Sequence, residues 1–387
     1  SNSSNSYSGG TVISGGTVSI SNAGHLGNTS GAITLGSGST SATLNITTGI
    51  SRTVLNVTDG SSAGVINVAS GQTFTLTNLN TASGTNNTTK FGKSGPGTLT
   101  LSGAGTYVGQ IQIGEGNVIV SNNSGLGTNN STVARGIDLG LNVGDVSQAN
   151  NVSVLATNGI TVPQSIYVAP NTTSATRTIG LSGASGTATY NNEVYLDGNL
   201  TVSGTGTVVL SGRLTNTGGL NSNATTVNLQ HNAKNYSGTT TINSGSELRL
   251  NPSANATFSS QIVLNGGTLG TTGITASRTW TSSNTLNVTA NSTLALLSAT
   301  AHTLTFAASN GISWTAGATL NITGWSGNYD GTAGTGGRIF IGNNSSGLTS
   351  TQLAHITFFN GTNYYQATLL STGELVPTSA TTALYWG

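Results

Sequence analysis

Polysaccharide cleavage, the first chemistry to weigh, needs two or three converging carboxylates, often with a lysine or arginine beside them. This chain of 387 residues has nine acids in all. The nearest sets are Asp138 with Asp145 and Glu193 with Asp197. Glu193 and Asp197 are four apart, so an alternating strand would turn both to one side. The same spacing also describes a solvated strand face beside a turn, and that reading is preferred. His25, His231, His302 and His355 are far apart, and none has a partner at metal-ligand spacing. There is no cysteine, so no thiolate site and no disulfide framework. Asp59-Gly60, Asp197-Gly198 and Asp330-Gly331 are isolated and read as turns, not as a calcium-binding repeat. Gly-x-Ser-x-Gly and glycine-rich phosphate patterns arise by chance where 56 residues are glycine. The expectation is no enzyme, no cofactor and no metal.

Charged residues make up 5% of the chain and the net charge is +1. A typical soluble domain carries about 25%. No basic stripe could neutralise phosphates, which argues against nucleic acid. A near-neutral surface favours self-association. No apolar run reaches the roughly 18 residues needed to span a membrane. The absence of methionine reads as a processed N-terminus with its signal peptide removed.

The elements that must position these residues are strands. Ser94–Asn123 reads SGPGTLTLSGAGTYVGQIQIGEGNVIVSNN. It contains three runs of alternating polar and apolar residues, each bounded by glycine, which is the signal for half-buried strands. Parts of the block return at Ser203–Gly212, at Tyr236–Leu250 and at Tyr7–Ile20. Further alternating runs, such as Ala42–Ile46, Thr53–Val57 and Gly64–Val68, have centres about ten to twelve residues apart. Recurring strand–turn–strand units indicate a solenoid in which each coil buries its apolar face on the next. Coils of about 20–25 residues would give roughly 16 turns and a rod of roughly 75 Å.

The block GPGTLTLSGAGTYVGQIQIGEGNVIV resembles the autotransporter-associated β-strand repeat, or passenger-associated transport repeat, of bacterial surface proteins. The resemblance implies an all-β chain, a right-handed parallel β-helix, and an extracellular or cell-surface location. From Gly324 on the texture changes. Nine aromatic residues, from Trp325 to Trp386, crowd the last 63 positions. Gly347–Ile356 is the one convincing helical turn, with Thr349 or Ser350 as N-cap. We therefore expect a β-solenoid over residues 1–324 and a small C-terminal capping module with a terminal strand over 325–387.

Function is expected at the two ends. Residues 1–24 enter the repeat halfway and carry neither charge nor proline to blunt an unpaired edge. Ala383–Trp386 is a short apolar strand. Tyr7, Val12, Ile13, Val18 and Ile20 at one end and Leu384, Tyr385 and Trp386 at the other form the expected assembly interface, with a second copy of the chain as partner. The expected product is a filament or surface coat. Two alternatives stand beside it: a monomeric adhesin that binds surfaces or glycans, and a polysaccharide-active enzyme using Glu193 and Asp197. Sequons such as Asn45-Ile-Thr47 are frequent in so Ser/Thr/Asn-rich a chain, and asparagine reads first as a corner and ladder residue.

Overall fold

The computed structural model describes residues 4–37, 39–58, 63–81, 89–128, 136–141, 149–171, 174–297 and 300–382, with only the backbone of 381 and 382. It is a parallel β-solenoid of about 12 turns. The chain divides into two compact units, Ser1–Gly206 and Thr207–Gly387.

In the first unit the strands alternate between two parallel sheets. Thr11–Ile13 opens one and Gly16–Ile20 opens the other. Each later strand pairs with the equivalent strand one coil away: Ile13 with Leu35, Leu35 with Val57, Ile20 with Ile46. From Thr161–Val162 onward each coil gains a strand on a third face. Inward residues stack in ladders. Leu99, Val118, Val154, Ile179 and Val202 are successive partners, each with at most 1% of its surface exposed. Branched side chains suit such a ladder because few rotamers are lost on burial. Full burial of each contributes about 1.5–3 kcal/mol.

The number of coils is lower than the spacing predicts, because some coils are longer than expected and the parallel winding ends at Ile356–Phe359. Thr98 lies 19 residues from its partner Asn117, whereas Gly116 lies 36 residues from Val152. The longer coil carries 129–135 and 142–148, which lie outside the described residues.

The second unit repeats the three-sided coil. Thr207–Leu210, Leu214–Asn216 and Leu220–Ser222 each start its share of one sheet. An inward tyrosine helps to fill the interior. Tyr236 is fully buried, packs edge-on against Phe258 at 5.9 Å, and bonds Thr240 Oγ1 at 2.5 Å. The parallel coil ends at Ile356–Phe359. That strand pairs antiparallel with Tyr364–Leu369, which pairs antiparallel with Leu375–Thr382. The predicted helical turn is Ser350–Ala354. Thr349 is its N-cap and completes a capping box with Gln352. Among the described residues no helix is long and apolar enough to cross a membrane.

Candidate functional site

The first coil contains a near copy of a later one, one hundred residues apart. Tyr7, Gly16, Gly27 and Asn22 correspond to Tyr107, Gly116, Gly127 and Asn122. Gly16 and Gly116 share a left-handed φ, 73° and 75°. Asn22 and Asn122 each accept from the backbone N–H two residues on, at 2.8 and 2.9 Å. The two copies lie at opposite corners. Residues 11–20 lead from the first sheet to the second, and residues 110–120 lead from the second to the first.

The copies differ in what covers them. Tyr107 is 1% exposed, packs against Phe91 of the preceding coil at 6.2 Å, and has its hydroxyl 2.9 Å from the Thr89 carbonyl. Tyr7 is 44% exposed and its hydroxyl bonds only locally, to Thr11 Oγ1 at 2.8 Å. Val12 is 68% exposed. Ile13 and Ile20 turn inward and are buried at the end of the core, while Val18, beside Leu44, is half-buried. Thr11–Ile13 and Gly16–Ile20 each pair on one side only, so their other edges are free among the described residues. Leu384, Tyr385 and Trp386 lie outside the described residues.

The acids do not gather. Glu193 and Asp197 sit beyond opposite ends of the three-residue strand Val194–Leu196, so the expected alternation does not run through both. Glu193 accepts from the Tyr195 hydroxyl at 2.9 Å. Asp138 is buried on the second sheet and accepts from Gln110 Nε2 at 2.8 Å and Gln112 Nε2 at 3.2 Å. Asp145 and Asp59 lie outside the described residues. No group of three or more potential metal ligands occurs among the described residues.

Sequence reasoning missed the buried cations. Arg52 donates to the carbonyls of Ala23, Leu26, Gly27 and Gly31, holding the 3-10 turn Ala23–Leu26 against the coil. Lys93 is fully buried and donates to the carbonyls of Ser94, Gly95 and Glu115 at 2.7–3.0 Å. Arg177 is buried and donates to the Asn150 carbonyl at 2.6 Å. Burial pulls Lys93 down to about 8, partly offset by the charge of Glu115. Three carbonyl acceptors match the three N–H donors of an ammonium, which keeps the charged form in place at neutral pH. The signal that could have found these residues is a cation at an inward position of an alternating run. Lys234 also sits at such a position, between Leu214 and Phe258 in its ladder.

No curated protein and no solved structure gives a significant match to this chain. The family of the passenger-associated transport repeat does. It matches residues 1–20 and 91–120, which include Tyr7 and Gly16 of the first copy and Tyr107 and Gly116 of the second, and the repeat and the solenoid together fit a β-helix like that of an autotransporter passenger.

Proposed function

We propose that this chain is a non-catalytic, surface-displayed solenoid that stacks end to end with further copies of itself. The repeat suggests a surface or secreted protein. The observation that carries the stacking is the contrast between Tyr107, covered by Phe91 of the coil before it, and Tyr7, its uncovered counterpart. A strand laid along Thr11–Ile13 would satisfy a free backbone edge and bury Tyr7 and Val12. Backbone hydrogen bonds would supply affinity and the side-chain pockets specificity. No lysine, arginine, aspartate or glutamate occurs before Arg52, so nothing repels an incoming strand. The segment of the next copy that would contribute this strand is the apolar run Ala383–Trp386. A head-to-tail contact of this sort does not close on itself and yields a fibre.

A structural role also agrees with how the charges are used. Glu247 pairs with Arg249 at 2.7 Å, Glu374 pairs with Arg338, and Arg52, Lys93 and Arg177 hold backbone carbonyls.

The test is electron microscopy and sedimentation velocity of the purified chain over a range of concentrations. Thin fibres that dissociate in Val12→Lys uphold the reading. Single particles at every concentration overturn it and move the weight to a monomeric adhesin. Fibres that persist in Val12→Lys place the interface elsewhere.

A further inference from the structure

Two cavities in the second unit share one arginine. The first, about 580 Å³, lies along the corner where the third-sheet strands end. Ser211, Gln230 and Asn251 line it. They follow strands whose last residues, Leu210, Leu229 and Leu250, are register partners, so the corner offers one polar side chain per coil. The second cavity, about 450 Å³, continues on the second sheet, where Thr279, Thr303 and Arg338 are successive partners. Arg278 lines both cavities.

The electrostatics of this groove are one-sided. No aspartate or glutamate lines either cavity. Arg338 is matched by Glu374, with Nε 2.9 Å from Oε1. Arg278 donates to the neighbouring Ser277 carbonyl at 2.9 Å and makes no ion pair among the described residues. A buried histidine backs the second cavity. His302 is 3% exposed and lines the wall. Its Nδ1 lies 2.7 Å from the Thr300 carbonyl, which fixes the proton there. Its Nε2 is buried and has no hydrogen-bond partner. The ring packs edge-on against Trp280 at 6.4 Å, so it backs the wall and offers no atom to a ligand.

We propose that this groove binds an anionic polysaccharide. Arg278 takes the carboxylate or sulfate, and the amide and hydroxyl ladder follows the chain. The ladder repeats every coil, about 4.8 Å, so it suits a polymer that runs across the coils rather than a single small anion. A guanidinium fork matches either oxyanion. One unmatched cation does not suit nucleic acid, whose phosphates call for several.

The experiment measures binding of the full chain to immobilised polygalacturonate, dextran sulfate and uncharged dextran. Salt-reversible retention on one or both polyanions, and none on dextran, is expected. Which polyanion is held tells carboxylate from sulfate. Arg278→Gln should weaken binding roughly tenfold. Asn251→Glu, which puts a carboxylate in the first cavity, should weaken it as well. Arg249→Gln changes net charge by the same amount but lines neither cavity, and should bind as the parent chain does. The proposal fails if neither polyanion is retained, if Arg278→Gln binds unchanged, or if Arg249→Gln loses as much as Arg278→Gln. None of these outcomes depends on whether the chain forms fibres.

Discussion

Gly116 closes a turn directly over Lys93: a Cβ placed there would lie 2.9 Å from Lys93 Nζ and 2.5 Å from the carbonyls of Gly95 and Gly97. Its left-handed φ of 75° adds a second reason for glycine. The counterpart Gly16 has φ 73° but nothing within 4 Å of such a Cβ. The pair thus separates backbone strain from crowding. Gly16→Ala should cost about 1 kcal/mol, the conformational part alone. Gly116→Ala should cost clearly more, about 3 kcal/mol, because it also displaces the Gly95 carbonyl that accepts from the ammonium. Urea unfolding of the two variants checks this, and equal losses would show that the Lys93 cage tolerates the methyl group.

Lys234 should make stability depend on pH. It is 2% exposed, in a ladder between Leu214 and Phe258, and burial lowers its amine to about 7 from 10.5. The unfolded chain therefore holds more protons than the native one between about pH 7 and the ordinary lysine value. The burial penalty is full below pH 7 and gone once both states are neutral, so stability rises with pH through that window. The effect is on the order of a few kcal/mol. Lys234→Met should be more stable than the parent at pH 6, and the gain should shrink toward pH 10. A gain that is constant with pH would mean that the amine reaches solvent.

The core ladder gives a packing test. Ile179 lies between Val154 and Val202, all fully buried. Ile179→Ala should cost about 2–5 kcal/mol and Ile179→Val about 1 kcal/mol. Calorimetric or denaturant unfolding reads both. A loss below 1 kcal/mol for alanine would show that neighbouring coils collapse into the space.

Glu374 ties the antiparallel end of the second unit to its last parallel coil. It is 1% exposed, accepts from Gly334 N at 2.8 Å, and holds Arg338 through both oxygens. The Arg338 side chain is 37% exposed, so solvent weakens the pair. Glu374→Ala should cost about 2 kcal/mol, much of it from the Gly334 N–H left without its acceptor. Trp325 packs against Gly334 and reports the loosening, so a red shift in its emission should accompany the loss.

Much of the fold was legible in the sequence. Alternation between glycines places Ala42–Ile46 where the strand lies, and Gly64–Val68 within one residue. The Ser94–Asn123 block falls on a coil, and the helical turn was readable with Thr349 or Ser350 as its N-cap, of which Thr349 is the one used. Local rules succeed here because each strand needs only its own period and its bounding turns.

The interface residues show where that reading stops. Sequence alone treats Tyr7, Val12, Ile13, Val18 and Ile20 as one apolar set; tertiary structure turns Ile13 and Ile20 into the core and leaves Tyr7 and Val12 outside. Coil length, too, was invisible, since a turn that grows by ten residues leaves the strand pattern on either side unchanged. The same holds for Arg52, Lys93 and Arg177, each of which has a carbonyl partner 22 to 29 residues away. Composition and period therefore determined the class of fold and the poverty of charge. Only the stacking of coils decided which charges are spent on backbone carbonyls, which tyrosine is covered, and that Arg278 and His302 share one groove, because each depends on residues that meet across coils rather than along the chain.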